Sequence, residues 1–438
     1  MKPVVHELEL KALQSLKGRF VGLTDEESKR ELITRTVRGI SPSVSEQDLN
    51  EIIADVNNLE PVGKYLVDQG VEDIMVNNTN SIFVYHSGQG NKKLEMKFDT
   101  IEKLSTFVEK LKLYATNEAA NGNIYDVHMP TGSRANVVTS PLGYDVTIRN
   151  FKNNVLSIID LINSAELDYQ MAARLWVYVD GFGIRPANLL FGGMPASGKS
   201  TLLNAMFSFF RPETRIVTIE ETYELNTGTQ ENCVNLETST GLTLEDLVKN
   251  ALRMRPDMIV IGEVRGEEAN DMLTAMSIGK IAMCTIHGSS ARDVVTRLQN
   301  APMNVPMQVI PAIDAIVITG QVFEQKKPLR KIIQVSETSG IETQVLLADI
   351  YKFDYKTHRA APILPSVTYR DIISKLIGVS PPDILEEERV RAMLLVEMNK
   401  RGIRDVKSIN EMVKEYYDNP QATLTKVGLG HIKPVIEM

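Results

Sequence analysis

The chain has 438 residues, 43% of them hydrophobic, and a formal net charge of −8; that length exceeds one compact core and predicts two or three domains of a globular protein. The acidic balance argues against a general nucleic-acid binder, which needs a basic excess to displace counterions from phosphates. Cys233 and Cys284 are the only cysteines, too few for a disulfide framework or a thiolate zinc site and in keeping with a reducing cytoplasm, and no apolar run approaches the ~18 residues of a membrane span, so membrane contact would go through partners.

From Met1 to about Leu59 the pattern is helical. Thr24 with Glu27 has the spacing of a capping box ahead of Leu32 and Ile33, and SPSVSEQDLNEII opens a further helix. Around Pro61 the rhythm changes: VEDIMV, the turn NNTNS and IFVYH read as a strand pair. Ile101, Leu104, Val108 and Leu111 fall on one helical face, and HMPTGSRANVVTSPLGYDVTIRNF alternates like further strands around PTGS and PLGYD turns. Residues 60–152 are therefore expected to form an α/β, sensor-like (PAS-like) domain behind an N-terminal helical module, residues 1–59. From Asn153 to about Arg185 the spacing is helical again, which starts the next domain.

Gly193 to Ser200 reads GMPASGKS, a full match to the phosphate-cradling pattern G-x-x-x-x-G-K-[ST]. NLLFG, residues 188–192, supplies the strand before it, and Leu202, Leu203, Met206 and Phe207 supply an apolar helix face after it. In such a loop the backbone N–H groups of residues 193–201 (Gly193, Pro195, Ala196, Ser197, Gly198, Lys199, Ser200 and Thr201 being the binding set, with proline contributing shape only) turn towards the phosphates of a nucleotide. Lys199 adds a mobile positive charge, and the Ser200 hydroxyl would ligate Mg²⁺ directly. ATP and Mg²⁺ are the expected ligands.

Four apolar runs follow, RIVTIEE, DMIVIGE, KIAMCTIH and AIDAIVITG, separated by helical stretches such as the one capped by Thr243 and Asp246 with Leu244, Leu247, Val248 and Ala251 buried. Strand–helix alternation at that spacing predicts a mostly parallel sheet with helices on both faces, residues 153–362. LRKIIQVSE, SG and ETQVLLADIYKF read as an antiparallel hairpin at its edge. Beyond Pro365 two strong helical patterns predict a separate C-terminal appendage, residues 363–438.

In an open parallel sheet, ligands sit beyond the carboxyl ends of the strands. Those ends here carry Glu220 and Glu221, then Gly262, Glu263 and Arg265, then Thr285 and His287. ATP hydrolysis needs Mg²⁺, an acceptor to orient or deprotonate water, and positive charge where the γ-phosphoryl group spreads its negative charge. Glu220 is assigned to the water, Glu263 to the Mg²⁺ shell through a water, and His287 to sensing the γ-phosphate. Asp257 opens its strand and is expected at the wrong edge.

The set GMPASGKST, RIVTIEETYEL, NALRMRPDMIVIGEVRGEEA and CTIHGSSARDVVTRL closely resembles the secretion ATPases of type II, type IV and type IV pilus systems, with the tight-adherence pilus branch most similar, and the likeness spans roughly residues 58–355. The C-terminal helices resemble an extension found on archaeal members. The resemblance implies a RecA-like core, a homohexameric motor at the cytoplasmic face of the membrane, a polytopic membrane platform as partner, and nucleotide bound between the N-terminal domain and the core. It implies Glu220 as catalytic glutamate, Glu263 as the acidic Walker B residue, His287 in a histidine box, and Arg134 and Arg149 as the arginines presented to the γ-phosphate. Such arginines are worth ~10³ to 10⁵ in rate.

The chain departs from the family at Glu221, where aspartate is usual, at Thr222-Tyr223, and at Lys280, where many relatives carry a first histidine. The tetracysteine insert of many type II secretion and pilus-extension members is absent from the sequence. Two other functions compete with the motor for pilus or secretion work: a nucleotide-gated ring scaffold that barely hydrolyses, towards which Lys280 leans, and a conjugation-type ATPase that moves DNA, against which the acidic balance speaks.

Overall fold

The structure is a computed structural model that describes residues 2–23, 25–86, 89–118, 122–129, 132–150, 155–239, 241–324, 327–357 and 359–434. The chain divides into two compact units, Met1–Asn154 and Val155–Met438.

Unit 1 opens with α1 (Pro3–Leu16), α2 (Glu26–Ile40) and α3 (Glu46–Val56), whose apolar faces close on Phe20 and Leu113 in a small core. Thr24, expected to cap α2, lies outside the described residues; the cap is Asp25, whose carboxylate accepts the Ser28 N–H at 2.6 Å. After α4 (Gly63–Leu66) come β1 (Val71–Asn78), β2 (Ser81–His86), β3 (Gly90–Lys93), α5 (Ile101–Lys112), β4 (Ala115–Glu118), β5 (Ile124–His128), β6 (Arg134–Ser140) and β7 (Gly143–Arg149). The strands form one antiparallel sheet in the order β3-β2-β1-β7-β6-β5-β4. Leu104, Val108 and Leu111 of α5 join its core, whereas Ile101, placed on the same face by spacing, opens the first turn and is 49% exposed. Pro130 and Thr131 of the predicted PTGS turn, and Phe151 of TIRNF, lie outside the described residues.

Unit 2 begins with α6 (Ile158–Asn163) and α7 (Tyr169–Asp180) and then alternates strand and helix. The elements are β8 (Leu189–Gly193), α8 (Lys199–Met206), β9 (Ile216–Glu220), β10 (Cys233–Glu237), α9 (Leu244–Ala251), β11 (Met258–Val264), α10 (Glu268–Ser277), β12 (Ile281–His287), α11 (Ala291–Gln299) and β13 (Ala315–Glu324). Three antiparallel strands complete the sheet, β14 (Lys327–Ile341), β15 (Val345–Asp354) and β16 (Arg359–Pro362), in the order β10-β9-β11-β12-β8-β13-β14-β15-β16. Strands β10 to β13 of that order run parallel through β8, the expected RecA-like α/β arrangement.

The parallel strands read as unbroken apolar runs because both faces of the sheet are covered. Leu189, Phe191, Met258, Val260, Ala315 and Val317 enter one hydrophobic core, while Leu190, Ile259, Ile261, Ile316 and Ile318 enter the other. This is the period-two alternation of strand side chains. The hairpin differs from expectation at Ser339-Gly340, read as its turn: β14 runs on to Ile341, and the pairing with β15 shifts register between Thr338 and Gly340. Gly340, at φ +133°, supplies the backbone freedom for a bulge there.

The four C-terminal helices, α12 (Thr368–Ile377), α13 (Pro381–Lys400), α14 (Val406–Asp418) and α15 (Pro420–Lys426), are not set apart from the sheet. Leu394, Leu395, Ile409, Tyr416 and Leu424 belong to the same buried core as Phe191 and Trp176. Among the described residues no helix is long and apolar enough to cross a membrane.

Candidate active site

The sheet order β9-β11-β12-β8 makes neighbours of the four strand ends that the sequence singled out, and brings Glu220, Glu263, His287 and Gly193 to one edge in that order. His287 and Gly193 are direct Cα partners. Between Ile261 and Val264 the pairing of β11 with β12 shifts register, and Thr285 Oγ1 donates to the Gly262 carbonyl at 2.6 Å. A bulge of this kind re-aims a side chain, and the one it carries is Glu263.

The loop from Gly193 to α8 is built for close backbone approach. A Cβ at Gly193 would stand 2.3 Å from Ser197 Oγ and 2.5 Å from Thr319 Oγ1, so only glycine fits. Gly198 caps α8 at φ +99° and Ala196 lies at φ +61°, left-handed values that curl the loop. Ser197 is buried and its Oγ pairs with Thr319 Oγ1 at 2.8 Å, which pins the loop to β13. On its other side the Ala196 carbonyl accepts from Gln321 Nε2 and Arg330 Nε, both at 3.2 Å. Pro195, Ser200 and Thr201 complete the stretch, with Ser200 and Thr201 in the first turn of α8. Lys199 Nζ donates to the carbonyls of Gly193 at 3.1 Å and Met194 at 3.3 Å, so the ammonium already lies over the loop. Burial depresses its pKa, with Glu263 pulling the other way.

Ser200, Glu220, Glu221, Gly262, Glu263 and Arg265 line one cleft. Glu220 is 2% exposed; its Oε1 accepts the N–H groups of Glu224 at 2.9 Å and Leu225 at 3.1 Å, and its Oε2 is buried without a hydrogen-bond partner. Burial pushes this carboxyl up to about 8, against the pull of those two N–H groups. Glu263 is gripped from two sides: His287 Nε2 stands 2.7 Å from its Oε1, and the Arg265 guanidinium pairs with its Oε2. Arg265 also reaches Glu221 at 3.3 Å. Asp257 opens β11 at the far end, where its Oδ2 accepts the Arg215 N–H at 2.9 Å.

The donor set suits Mg²⁺. A serine hydroxyl and carboxylates in one cleft are hard oxygen ligands, and among the described residues no group of three or more His, Cys, Asp or Glu could hold a metal alone.

Arg134 and Arg149 belong to unit 1. They are Cα partners across β6 and β7, side by side, and Arg149 Nε pairs with Asp73 Oδ1 at 3.1 Å. Lys280 immediately precedes β12, so it stands a full strand away from His287, roughly 23 Å by strand rise. Sequence reasoning gave no role to Arg265, although it marked the residue as a charged strand end. It missed Thr319 altogether, because a mid-strand threonine 122 residues from Ser197 carries no local signal.

A family model described as Type II/IV secretion system protein matches residues 55–342. The uncharacterized protein MJ0900 of Methanocaldococcus jannaschii is 28% identical over 84% of this chain and 69% of its own length. A probable conjugal transfer protein, TrbB of Sinorhizobium fredii, is 28% identical over 62% of this chain and 85% of its own. Among solved structures, the pilus retraction motor PilT with bound ADP aligns over 81% of this chain and 96% of its own, at 18% identity and a TM-score of 0.47.

Proposed function

The chain belongs to the type II/IV secretion system protein family and is a P-loop ATPase, and from that premise we propose that it is a hexameric motor that hydrolyses ATP to drive assembly or retraction of a type IV-like pilus or a secretion machine. The observation that carries the reading is the single cleft where Ser200, Glu220 and Glu263 meet at the mouth of the phosphate loop, with His287 2.7 Å from Glu263.

In this reading backbone N–H groups of the loop between Gly193 and Thr201 and the Lys199 ammonium hold the β- and γ-phosphates. Bound Mg²⁺ would neutralise charge developing between them. Glu220, fixed through Oε1 by two backbone N–H groups, offers its second oxygen to the attacking water. Glu263 orients the Mg²⁺ shell through a water, and His287 holds Glu263 and senses the γ-phosphate. Arg134 and Arg149 are assigned to γ-phosphate charge on the family resemblance. The protein would act as a ring of six at the cytoplasmic face of the membrane, on a polytopic platform partner.

Lys280, the feature that leans towards a scaffold that binds without hydrolysing, immediately precedes β12 and stands a strand's length from His287. The conjugation-type reading has the TrbB relative behind it, but the net charge of −8 offers little to a DNA backbone. Purified Lys199→Ala and Glu220→Gln proteins should fold as the parent does and release phosphate at least about 100-fold more slowly. Parental turnover in either variant would end the hydrolytic assignment.

A further inference from the structure

The phosphate loop lies against an acid that the hydrolytic mechanism does not use. Glu166, in the turn between α6 and α7, is 5% exposed, and its Oε1 has no hydrogen-bond partner. That oxygen lies 3.0 Å from the point where a Cβ on Gly198 would stand, and Arg330 Cδ lies 3.2 Å from the same point. The arrangement is stitched to β14 by three bonds. The Ile332 N–H donates to the Glu166 carbonyl at 3.0 Å, Lys331 Nζ donates to the Ala165 carbonyl at 2.6 Å, and Arg330 Nε donates to the Ala196 carbonyl at 3.2 Å. One strand thus holds both the backbone at the acid and the loop.

Two cations face Glu166, Arg330 and Lys331, and both favour its ionised form; burial outweighs them and pushes the carboxyl up to about 7. The positive end of α8 adds nothing that opposes ionisation. A phosphate chain in the loop would act in the same direction as burial, because it brings several negative charges next to a buried carboxylate in a medium that screens poorly.

We propose that Glu166 gauges nucleotide occupancy, its carboxylate taking up a proton from solvent when the phosphates of a nucleotide fill the loop at Gly198. The inference rests on the reading of residues 193–201 as a nucleotide site. Linkage makes it reciprocal: if binding takes up a proton, nucleotide affinity falls as pH rises through the range where the Glu166 carboxyl of the free protein ionises, by at most about tenfold per pH unit for one proton. Each nucleotide exchange then shuttles a proton on and off the back of the loop.

The test is calorimetric titration of the full chain with Mg²⁺-free ADP between about pH 6 and pH 8.5, in two buffers of different ionisation enthalpy. Above about pH 7.5 the phosphate of ADP is already ionised, so uptake there reports the protein. The parent should take up roughly half a proton near pH 7.5 and lose up to about tenfold in ADP affinity by pH 8.5 relative to Glu166→Gln, which should take up less and show the flatter curve. Absence of net uptake by the parent above about pH 7.5, or equal uptake and parallel affinity curves in the two proteins, overturns the proposal while leaving the nucleotide site standing. Failure of ADP to bind either protein at any pH overturns the nucleotide reading and this inference with it.

Discussion

One methyl group separates two kinds of glycine at the site. At Gly262 an added Cβ would stand 3.0 Å from Glu220 Cγ and 3.2 Å from its Oε1, tight enough to displace a carboxylate that two backbone N–H groups hold in place. Misplacing a catalytic group by about 1 Å can cost about 100-fold in rate, and this shift is smaller, so Gly262→Ala should lower kcat by roughly tenfold and leave ADP affinity unchanged. At Gly193 the new Cβ would meet Ser197 Oγ, Thr319 Oγ1 and, at 2.7 Å, the Thr319 backbone oxygen. Backbone cannot swing aside, so Gly193→Ala should lose ADP binding as well as turnover and cost about 1–3 kcal/mol of stability. Steady-state phosphate release and equilibrium ADP binding on the two variants separate these outcomes. The same residues mark what the sequence discloses at this scale. Phosphate chemistry demands backbone N–H groups at fixed spacing, so Gly193 to Ser200 can be read directly. The pin from Thr319 and the clamp of Arg265 on Glu263 and Glu221 depend on which strands become neighbours, and no local pattern encodes that.

Elements are held together in unit 1 by a buried charge cluster that no motif announces. Glu9 of α1 is fully buried; its Oε2 lies 3.1 Å from His6 Nδ1 and its Oε1 3.8 Å from Lys110 Nζ of α5, which in turn pairs with Asp55 of α3 at 2.8 Å. Burial, followed by the neighbouring Asp55, pushes the Glu9 carboxyl from 4.5 up to about 8. Between these two values the unfolded chain gives up the proton and the folded unit keeps it, so stability falls as pH rises through the window and levels off above it. Glu9→Gln removes this slope, and its thermal midpoint should fall less than the parent's between about pH 5.5 and pH 8; equal falls in the two proteins would place the proton elsewhere. In the sequence Glu9 looks like one more helical acid, since the periodicity of α1 marks its apolar stripe and says nothing about which partner helices cover it. Caps were easier, because Thr243 and Asp246 bond only within their own turn. Ser339-Gly340 misled because a glycine that permits a turn also permits a bulge, and the register of β15 decides between them.

On the scale of the whole chain, the C-terminal helices were the least legible part. Their apolar faces have the same periodicity whether they pack on one another, as an appendage would, or on the ATPase sheet, and the contacts that decide the matter join residues more than 200 positions apart. Trp176 of α7 stacks on Phe209 at 5.1 Å, meets the rings of Tyr416 and Tyr417 edge-on, and donates its Nε1–H to Tyr417 Oη at 2.7 Å. Arg391 of α13, wholly buried, bonds Asp180 of α7 at 2.7 Å and 3.2 Å and Glu387 at 3.1 Å, while Arg174 of α7 pairs with Glu388 at 2.6 Å. A chain ended near residue 365 would expose the face around Trp176 and leave Arg174 without its acid. Losing one partner of a buried pair costs about 3–5 kcal/mol, a large share of the 5–15 kcal/mol that holds a typical domain folded. The truncated protein should therefore lose the cooperative urea transition of unit 2 and its ADP binding. Arg391→Ala, which keeps the helices but removes the buried cation between Asp180 and Glu387, leaving Asp180 to Arg211 at 3.6 Å and Glu387 to the Tyr416 hydroxyl at 2.8 Å, should retain ADP binding and lose about 3–5 kcal/mol in the same transition. A soluble truncation that unfolds cooperatively and binds ADP like the parent would make these helices a dispensable attachment. An unstable truncation beside an intermediate Arg391→Ala would mean that the extension is part of the fold of unit 2, and that any partner gripping it also grips the helix leading into the phosphate-loop strand.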